Sequence, residues 1–236
     1  MSHPDTASRR LHPRPWDHDY LLMKWLAAAL HRSIASSLAG RTDLTVVDYG
    51  CGPMPYCALF DGAAGRYLGA DLPDNPVADL HLDEHGNLPL PDGSVDVVLS
   101  SQVLEHVLDV DAYLRECRRV LRKDGVLILS THGSWIYHPH PTDVRRWTRW
   151  GLVHDIERNG FAVNAVESCM GPLAYTTQLR LLFAVGTVAK LGVLGRILAM
   201  PITLACQGLM SLEERLTPEW LTRDNASVYV VTAHVG

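Results

Sequence analysis

The chain has 236 residues, of which 47% are hydrophobic, and a formal net charge of -5 at pH 7. This composition supports one substantial hydrophobic core. It argues against a nucleic-acid substrate, because no broad positive field is present to attract phosphates. The five cysteines are odd in number and scattered, and the N-terminus holds no apolar segment of signal-peptide length, so we expect reduced thiols and a cytoplasmic location.

The first predicted element is a helix rich in alanine and leucine that ends near residue 38. Aromatic and charged residues precede it. Trp16, His18 and Tyr20 either cover a bound cofactor or only pin this helix to the domain, because aromatic side chains bury large areas wherever they lie. The sequence leaves both alternatives open.

The segment 44–54, LTVVDYGCGPM, is an apolar run that ends in an acid and two glycines, where a strand would meet a turn. Gly50 and Gly52 allow a tight bend and a close approach of a ligand to the backbone, and Asp48 places a carboxylate at the strand end. The run lacks the third glycine of a dinucleotide fingerprint and the lysine of a phosphate loop. It therefore disfavours NAD and ATP and favours an adenosine-type cofactor.

This turn resembles the first motif of the class I S-adenosylmethionine (SAM) methyltransferases, with Met54 in place of the usual last glycine. Segments 66–72, 78–99, 100–107 and 112–131 resemble further family motifs in the right order. The resemblance implies SAM as the cofactor. It also implies that the cofactor-binding residues are Asp48, Gly50, Gly52, Asp71, Leu72, Asp83 and Gln102.

Three of these residues have roles that follow from their place in the family pattern. Asp71 ends the second predicted strand about 20 residues after the glycine turn, where a carboxylate can accept both ribose hydroxyls. Asp83 would reach the adenine amino group, with Glu84 as the alternative in register. Gln102 belongs to the segment 100–107, which resembles the one that lies along the cofactor in the family.

The next helix is predicted from the residues themselves. Apolar residues recur at helical spacing over residues 112–123, with acids before the helix and arginines and a lysine at its end. This charge pattern complements the helix dipole and does not require a nucleic-acid surface. Gly125 is the predicted helix terminator, and residues 126–131 form the predicted fifth strand.

The loop after the fifth strand, residues 131–148, concentrates histidines, arginines, aromatic residues and an acid. Open parallel sheets bind ligands beyond their carboxyl ends, which is where this loop lies. A histidine with a nearby acid can take a proton from a hydroxyl. His138 and His140 are the candidate bases and Asp143 their acid, which favours O-methylation; the alternative for any single histidine is a backbone or helix-capping bond.

A divalent cation such as Mg²⁺ could also orient an acceptor and lower its pKa. The residues that could contribute are His132, His138, His140, Asp143 and Glu105. No fixed ligand spacing specifies a site, so the metal stays undetermined.

The fold class is predicted as α/β, a Rossmann-like, doubly wound and mostly parallel seven-stranded sheet with a helical insertion before the last strand. We divide this single domain into an N-terminal cap and helix, a SAM-binding core, an apolar helical insertion and a closing strand. Their bounds are residues 1–40, 41–168, 169–226 and 227–236.

Residues 173–212 of the insertion carry three basic residues and no acid, and predict helices that are apolar on nearly every side. The longest uncharged run, 197–212, is shorter than the roughly 20 apolar residues that a spanning helix needs. A cap over the pocket combined with a homodimer contact is the favoured interpretation. A lipid-contacting surface and a simple extension of the core are the alternatives.

The loop 137–148 resembles that of bacterial methyltransferases of polysaccharide and glycolipid assembly, some of which modify mannosides. This resemblance implies a hydroxyl of a sugar or oligosaccharide as the acceptor. A lipid, a quinone or a secondary metabolite is the alternative, because one scaffold serves many acceptors. A SAM-binding protein without catalysis is the alternative of another class.

Overall fold

The computed structural model describes residues 9–139 and 142–236. Its strands are β1 (Leu44–Tyr49), β2 (Ala64–Asp71), β3 (Leu80–His81), β4 (Val95–Ser101), β5 (Leu121–His132), β6 (Phe161–Cys169) and β7 (Val228–Val235). They form one seven-stranded sheet in the order β3-β2-β1-β4-β5-β7-β6. β1 to β5 pair in parallel, and β7 runs antiparallel to both β5 and β6.

Helices cover both faces of this sheet. They are α1 (Tyr20–Ser37), α2 (Val110–Val120), α3 (Arg149–Arg158), α4 (Pro172–Val188), α5 (Val193–Leu216) and α6 (Glu219–Asp224), with short 3₁₀ turns at Cys57–Phe60, Leu104–His106 and Ala189–Leu191. The predicted Rossmann-like, doubly wound sheet with a helical insertion before its last strand is confirmed. The five cysteines are free, as predicted.

The sheet has an apolar core on each face. β4 is buried along its whole length, as expected of a central strand that is covered on both sides. Leu114 of α2 and Leu152 of α3 pack on one face, and Leu30 of α1 and Leu181 of α4 pack on the other. The alternation of β strand side chains therefore divides the core into two layers.

The end of the second helix differs from the prediction. α2 ends at Val120 and β5 begins at once, because Leu121 is buried and pairs with Val95 of β4. Gly125 lies inside β5, near the point where the register between β4 and β5 shifts. The prediction that Gly125 terminates the helix is therefore wrong. Arg118 and Arg119 lie in the last turn of α2, whereas Arg122 and Lys123 already belong to β5.

The insertion is a helical hairpin of α4 and α5. The backbone N–H of Gly171, just before α4, donates to Glu214 near the end of α5 (2.8 Å), and Thr177 donates to Glu213 (2.9 Å). These bonds tie the start of α4 to the end of α5. The two helices therefore run antiparallel, and the turn near Gly192 lies far from these anchoring contacts.

Among the described residues, one helix, α5, is long and apolar enough to cross a membrane by length and composition. It has 24 residues and extends past both ends of the uncharged run 197–212. The short length of that run therefore does not exclude a membrane-spanning length for α5. Its second half packs against the domain, since Thr203, Gln207 and Met210 are buried.

Candidate active site

The glycine turn lies where the order of the sheet reverses. β1 and β4 are neighbours, and the chain continues outward from them in opposite directions, which creates the crevice where such sheets bind ligands. Gly50 has a φ of 83° and Gly52 a φ of 51°, in the left-handed region that favours glycine. A Cβ on Gly50 would also lie 2.5 Å from a methyl carbon of Val103. The turn is therefore shaped by both backbone and packing.

Asp71 ties the end of β2 to this turn. Its carboxylate accepts hydrogen bonds from the backbone N–H of Gly52 (2.9 Å) and of Leu72 (2.8 Å). Asn75 Nδ2 donates a third (2.7 Å) and also reaches the Gly52 carbonyl (2.8 Å). The structure thus brings Gly52, Asp71 and Leu72 together, while Asn75 was missed because its role depends on a turn beyond the motif.

Asp48 lies beneath the turn and is buried. The Tyr67 hydroxyl donates to its carboxylate (2.7 Å). Burial, and to a lesser degree the nearby charge of Asp71, raises the pKa of Asp48 to about 7, although the Tyr67 bond opposes the shift. The sequence predicted the acid but not its tyrosine partner, which comes from β2 nineteen positions later.

Met54 stands where the resemblance expects a last glycine. Met54 adopts a φ of 52°. Its sulfur packs against Gly69 of β2, where an added Cβ would lie only 2.6 Å from the sulfur atom. The side chain is thus accommodated by a glycine on the neighbouring strand. A 3₁₀ turn, Cys57–Phe60, follows in place of a regular helix.

Asp83 follows β3 and is held by its own turn. It accepts hydrogen bonds from the backbone N–H of His85 (2.9 Å) and from the backbone and side chain of Asn87 (2.7 and 2.9 Å). The Asn87 bonds hold the pKa of Asp83 below its usual value. Glu84, the register alternative, instead lies 3.5 Å from the exposed His85 ring.

Gln102 connects the ends of β4 and β5. It has a φ of 59°, which is strained for a residue with a side chain. Its backbone N–H donates to the Ser130 carbonyl (2.9 Å) and its amide nitrogen to the Ser130 hydroxyl (3.2 Å). This strained residue redirects the chain so that the next turn, Leu104–His106, lies over the ends of both strands.

A polar cluster lies at this point, formed by Glu105, His132 and His138. Glu105 is fully buried and accepts a bond from the Thr131 hydroxyl (2.8 Å). Its other oxygen lies 3.3 Å from His132 Nε2, and the rings of His132 and His138 are 4.9 Å apart. Three segments of the chain thus converge on one small volume.

Burial sets the charge of this polar cluster. It raises the pKa of Glu105 to about 7 and lowers the pKa of His132 to about 3, with the neighbouring His138 adding to the shift. The pKa of His138 is also lowered, chiefly by burial and in spite of Asp143. The cluster therefore favours neutral imidazoles, which can accept a proton or bind a cation.

Asp143 fixes the loop that carries His138. Arg146 donates to its two oxygens (2.5 and 2.7 Å), and the backbone N–H of His138 donates as well (2.8 Å). Arg146 holds the pKa of Asp143 well below its usual range. Nδ1 of His138 lies 3.4 Å from Asp143, so the predicted acid–histidine pair is formed. His140, the other predicted base, lies outside the described residues.

Aromatic rings border the polar cluster. Trp135 stacks on His132 with ring centroids 5.4 Å apart, and Tyr175 of α4 lies 5.7 Å from Trp135. His106 lies 5.2 Å from His138 and is fixed by the Thr142 carbonyl through its Nδ1. The base of the α4–α5 hairpin therefore forms one wall of the site.

The N-terminal segment contacts the same hairpin. Gln178 of α4 donates to the His18 carbonyl (2.9 Å), and Gln207 of α5 donates to the Asp17 carbonyl (2.9 Å). The Trp16 side chain is 51% exposed. These contacts match the alternative in which the segment is pinned to the domain, and a covering role over the cofactor stays a prediction.

Comparison with known proteins places these residues in context. Residues 47–129 match a family model described as a methyltransferase domain. A probable S-adenosylmethionine-dependent methyltransferase of Mycolicibacterium smegmatis is 34% identical over 149 residues, which cover 57% of each chain. A ubiquinone biosynthesis O-methyltransferase of Rhodopseudomonas palustris is 29% identical over 41% of this chain and 43% of that protein. The chain spans about half the length of these relatives.

Solved structures extend the likeness to the whole fold. An S-adenosylmethionine-dependent methyltransferase from Mesorhizobium loti has a TM-score of 0.55 and 18% identity, with 95% of this chain and 99% of that chain covered. At this level of identity the likeness concerns the fold, and the chemistry must be argued from the site.

Proposed function

We propose that this chain transfers the methyl group of SAM to a hydroxyl oxygen, because residues 47–129 match the methyltransferase-domain model. The observation that carries the proposal is the short path between the glycine turn and the polar cluster. Val103 contacts Gly50, and Glu105 follows two residues later. A cofactor at the turn and an acceptor at the cluster would therefore be neighbours.

The first half of the site suits the cofactor. Gly50 and Gly52 allow a close approach to the backbone, Asp71 at the end of β2 would accept the ribose hydroxyls, and Asp83 would accept a bond from the adenine amino group. When bound, SAM supplies a methyl group that is already activated, so positioning of the acceptor provides much of the rate. The protein's remaining task is to orient the acceptor and remove its proton.

The second half of the site suits an acceptor that must lose a proton. Glu105, His132 and His138 place neutral imidazole nitrogens beside a carboxyl group that titrates near neutral pH, and Asp143 fixes His138. Hydroxyl acceptors need such help more than amines or thiols do at neutral pH. The polar cluster therefore supports O-methylation within the broader class of methyl transfer.

Two classes of hydroxyl acceptor remain in competition. The loop 137–148 supports a sugar or glycoside, including a mannoside, because aromatic planes beside arginine and aspartate suit a sugar ring. A quinone or lipid acceptor is supported by a different observation, the apolar α4 wall at Tyr175 together with the named activity of the ubiquinone biosynthesis relatives. A glycolipid would satisfy both features.

The direct test is to incubate the purified chain with methyl-labelled SAM and two acceptor panels. One panel contains mono- and oligosaccharides, including partly methylated mannosides, and the other contains prenylated phenols and quinols. We expect label in one hydroxyl-bearing class. Absence of label in both panels, together with label in a parallel panel of amines and thiols, would contradict O-methylation.

The non-catalytic alternative makes a different forecast. SAM would bind with ordinary affinity in calorimetry, yet no acceptor in either panel would take label. The presence of Asp71, Asp83 and the polar cluster argues against it, because a decayed site should have lost its catalytic polar groups first. Calorimetry alongside the label assay separates a protein that does not bind SAM from one that binds it without turnover.

A further inference from the structure

Three atoms of the polar cluster are shielded from solvent and lack a hydrogen bond within the described part of the chain: Oε1 of Glu105, Nδ1 of His132 and Nδ1 of His138. The first two belong to side chains that are at most 5% exposed. Buried polar atoms are nearly always paired, because an unpaired one loses its bonds to water without replacement. Two such atoms on adjacent buried side chains indicate that the site binds something.

The geometry of the cluster narrows what it binds. One ligand atom from each of Glu105, His132 and His138 lies within 4.8 Å of the others. The three residues come from the turn after β4, the end of β5 and the following loop, so they surround a point from different directions. Two imidazole nitrogens and one carboxylate oxygen are a ligand set typical of transition metals.

We propose that Glu105, His132 and His138 bind a divalent transition-metal ion, for which Zn²⁺ is the probe. Mg²⁺ is a poorer fit, because it prefers oxygen ligands and keeps several waters. Three protein ligands also leave a coordination position open for an acceptor oxygen, as in catalytic zinc sites.

Asp143 and Arg146 hold His138 in the orientation that a metal ligand needs. Its Nδ1 lies 3.4 Å from Asp143, which leaves Nε2 as the nitrogen that is free to bind a metal. Asp143 is itself held at both oxygens by Arg146. A carboxylate behind a histidine ligand fixes the ring and strengthens its donor nitrogen.

The catalytic role of the metal rests on the proposed function, whereas metal binding does not. The metal ion would act as a Lewis acid and lower the pKa of an acceptor hydroxyl bound at its open coordination position. The O–H bond then breaks with the proton passing to solvent, the S–CH₃ bond of SAM breaks, and the O–CH₃ bond forms. Charge and atoms balance without a further reactant.

The test measures metal binding without SAM or acceptor. Metal-free protein is titrated with Zn²⁺ by calorimetry and with Co²⁺ by visible absorption, which reports nitrogen ligation. We expect one equivalent of metal, and at least about tenfold weaker binding in Glu105→Gln and His138→Ala. The matched control replaces an exposed histidine and an exposed glutamate of α3, in the variant His154→Ala Glu157→Gln, and should bind metal as the parent does.

Binding that is absent, or equal in all variants, would overturn the metal site. Circular dichroism and SAM calorimetry on each variant show whether the fold and the cofactor site survive, so that loss of folding is not mistaken for loss of a ligand. Methyl transfer that persists in the metal-free protein would leave the proposed function intact and remove the metal from it.

A second inference comes from the far end of the α4–α5 hairpin. Large apolar side chains around its turn are exposed to solvent: Phe183 by 78%, Val193 by 72%, Ile197 by 63%, Leu194 by 58% and Leu191 by 56%. Soluble surfaces rarely leave so many large apolar residues uncovered in one short segment. We call residues 183–200 the hairpin tip.

The charge of the hairpin distinguishes between partners for this tip. Residues 173–212 contain Arg180, Lys190 and Arg196 and no acid. A segment with basic and apolar residues and no acid complements an anionic lipid layer, whereas the like charges of two copies would oppose their association. The second half of α5 is anchored by Gln207, which donates to the Asp17 carbonyl, so the tip can enter a lipid surface while the domain stays outside it.

We infer that the hairpin tip inserts into the surface of an anionic membrane. The test is co-sedimentation of the full chain with vesicles of phosphatidylglycerol and phosphatidylcholine, compared with vesicles of phosphatidylcholine alone. We expect stronger binding to the anionic vesicles and at least a fivefold loss, on the order of one buried apolar side chain, in Leu194→Glu Ile197→Glu. Leu108→Glu, at a side chain 71% exposed elsewhere, is the matched control.

Light scattering after size-exclusion chromatography tests whether a second copy of the chain, rather than a membrane, covers the hairpin tip. If the parent chain is a dimer that Leu194→Glu Ile197→Glu converts to monomers, a second copy covers the tip and the membrane inference is overturned. The same follows if the parent and the tip variant bind anionic vesicles equally.

Discussion

Asp143 and Arg146 form a bidentate ion pair in which the aspartate side chain is almost fully buried. The two Nη atoms lie 2.5 and 2.7 Å from the two carboxylate oxygens, and the Asp143 side chain is 1% exposed. Arg146 also donates to the carbonyls of Trp135 (3.2 Å) and Ile136 (2.8 Å). One guanidinium therefore closes the loop that delivers His138 to the site.

Replacing Arg146 should loosen that loop. Arg146→Gln leaves Asp143 as a buried charge without its partner, and we expect a loss of about 3 kcal/mol in the free energy of unfolding. Urea denaturation measures it. The control is Arg223→Gln, which breaks an arginine–aspartate pair at the surface and should change stability by less than about 1 kcal/mol. Equal effects in both variants would contradict a structural role for the Asp143 pair.

Asp71 should control cofactor affinity. It holds the glycine turn through Gly52 and is the expected ribose ligand, so Asp71→Asn should weaken SAM binding by at least about tenfold, on the order of one charge-assisted hydrogen bond. Calorimetry with SAM measures the change. Asp74→Asn alters an exposed acid in the same loop and should bind SAM as the parent does. Unchanged affinity in Asp71→Asn would remove this residue from the cofactor site.

Gly50 offers a test of the turn with an internal standard. Gly50 and Gly86 have φ values of 83° and 82°, but only Gly50 has neighbours within 4 Å of an added Cβ, the nearest being Val103. Gly86→Ala should cost about 1 kcal/mol for its backbone alone. Gly50→Ala should lower the free energy of unfolding by clearly more. Adding Val103→Ala should restore this extra loss in the Gly50→Ala protein, whereas Val103→Ala alone should not stabilise the parent. Urea denaturation of the double-mutant cycle measures this coupling.

The sequence predicted the glycine turn well because that motif is local. Asp48, Gly50 and Gly52 lie within five positions, so one strand end and one turn bring them together. The prediction of Asp71 used a wider spacing but the same rule, that parallel strands end at one edge of the sheet. The α/β class followed from the alternation of such strands with helices.

The polar cluster could be predicted only in part, because it depends on register between strands. Ser101 pairs with Ser130, and this alignment brings the turn after β4 beside the end of β5. Glu105 and His132 appeared in the sequence only as possible metal ligands among several histidines and acids. Their contact, and the Thr131 bond that orients Glu105, follow from long-range pairing that no motif encodes.

Asp48 should make stability depend on pH. Its folded pKa of about 7 lies above the ordinary aspartate value of 3.8, so between these values the folded state binds a proton that the unfolded state has lost. The free energy of unfolding should therefore fall as pH rises through this window and level off above it, by about 2 to 3 kcal/mol between pH 5 and 8. In Asp48→Asn this contribution should vanish.

Urea denaturation of both proteins across that pH range measures the difference. Because other groups also titrate, the informative quantity is the parent minus the variant at each pH. Asp61→Asn, at an exposed acid, controls for a change in net charge. A parent-minus-variant difference that stays flat between pH 5 and 8 would contradict the raised pKa of Asp48.

His138 should separate cofactor binding from methyl transfer. It lies in the polar cluster and not at the glycine turn, so His138→Ala should leave SAM affinity within about twofold and lower turnover by about a hundredfold, the range expected for loss of acceptor activation. The label assay and calorimetry on one preparation measure both quantities. His154→Ala, at an exposed histidine of α3, is the control. His140→Ala tests the second predicted base in the same way, and normal turnover in both His138→Ala and His140→Ala would exclude the histidine loop from activating the acceptor.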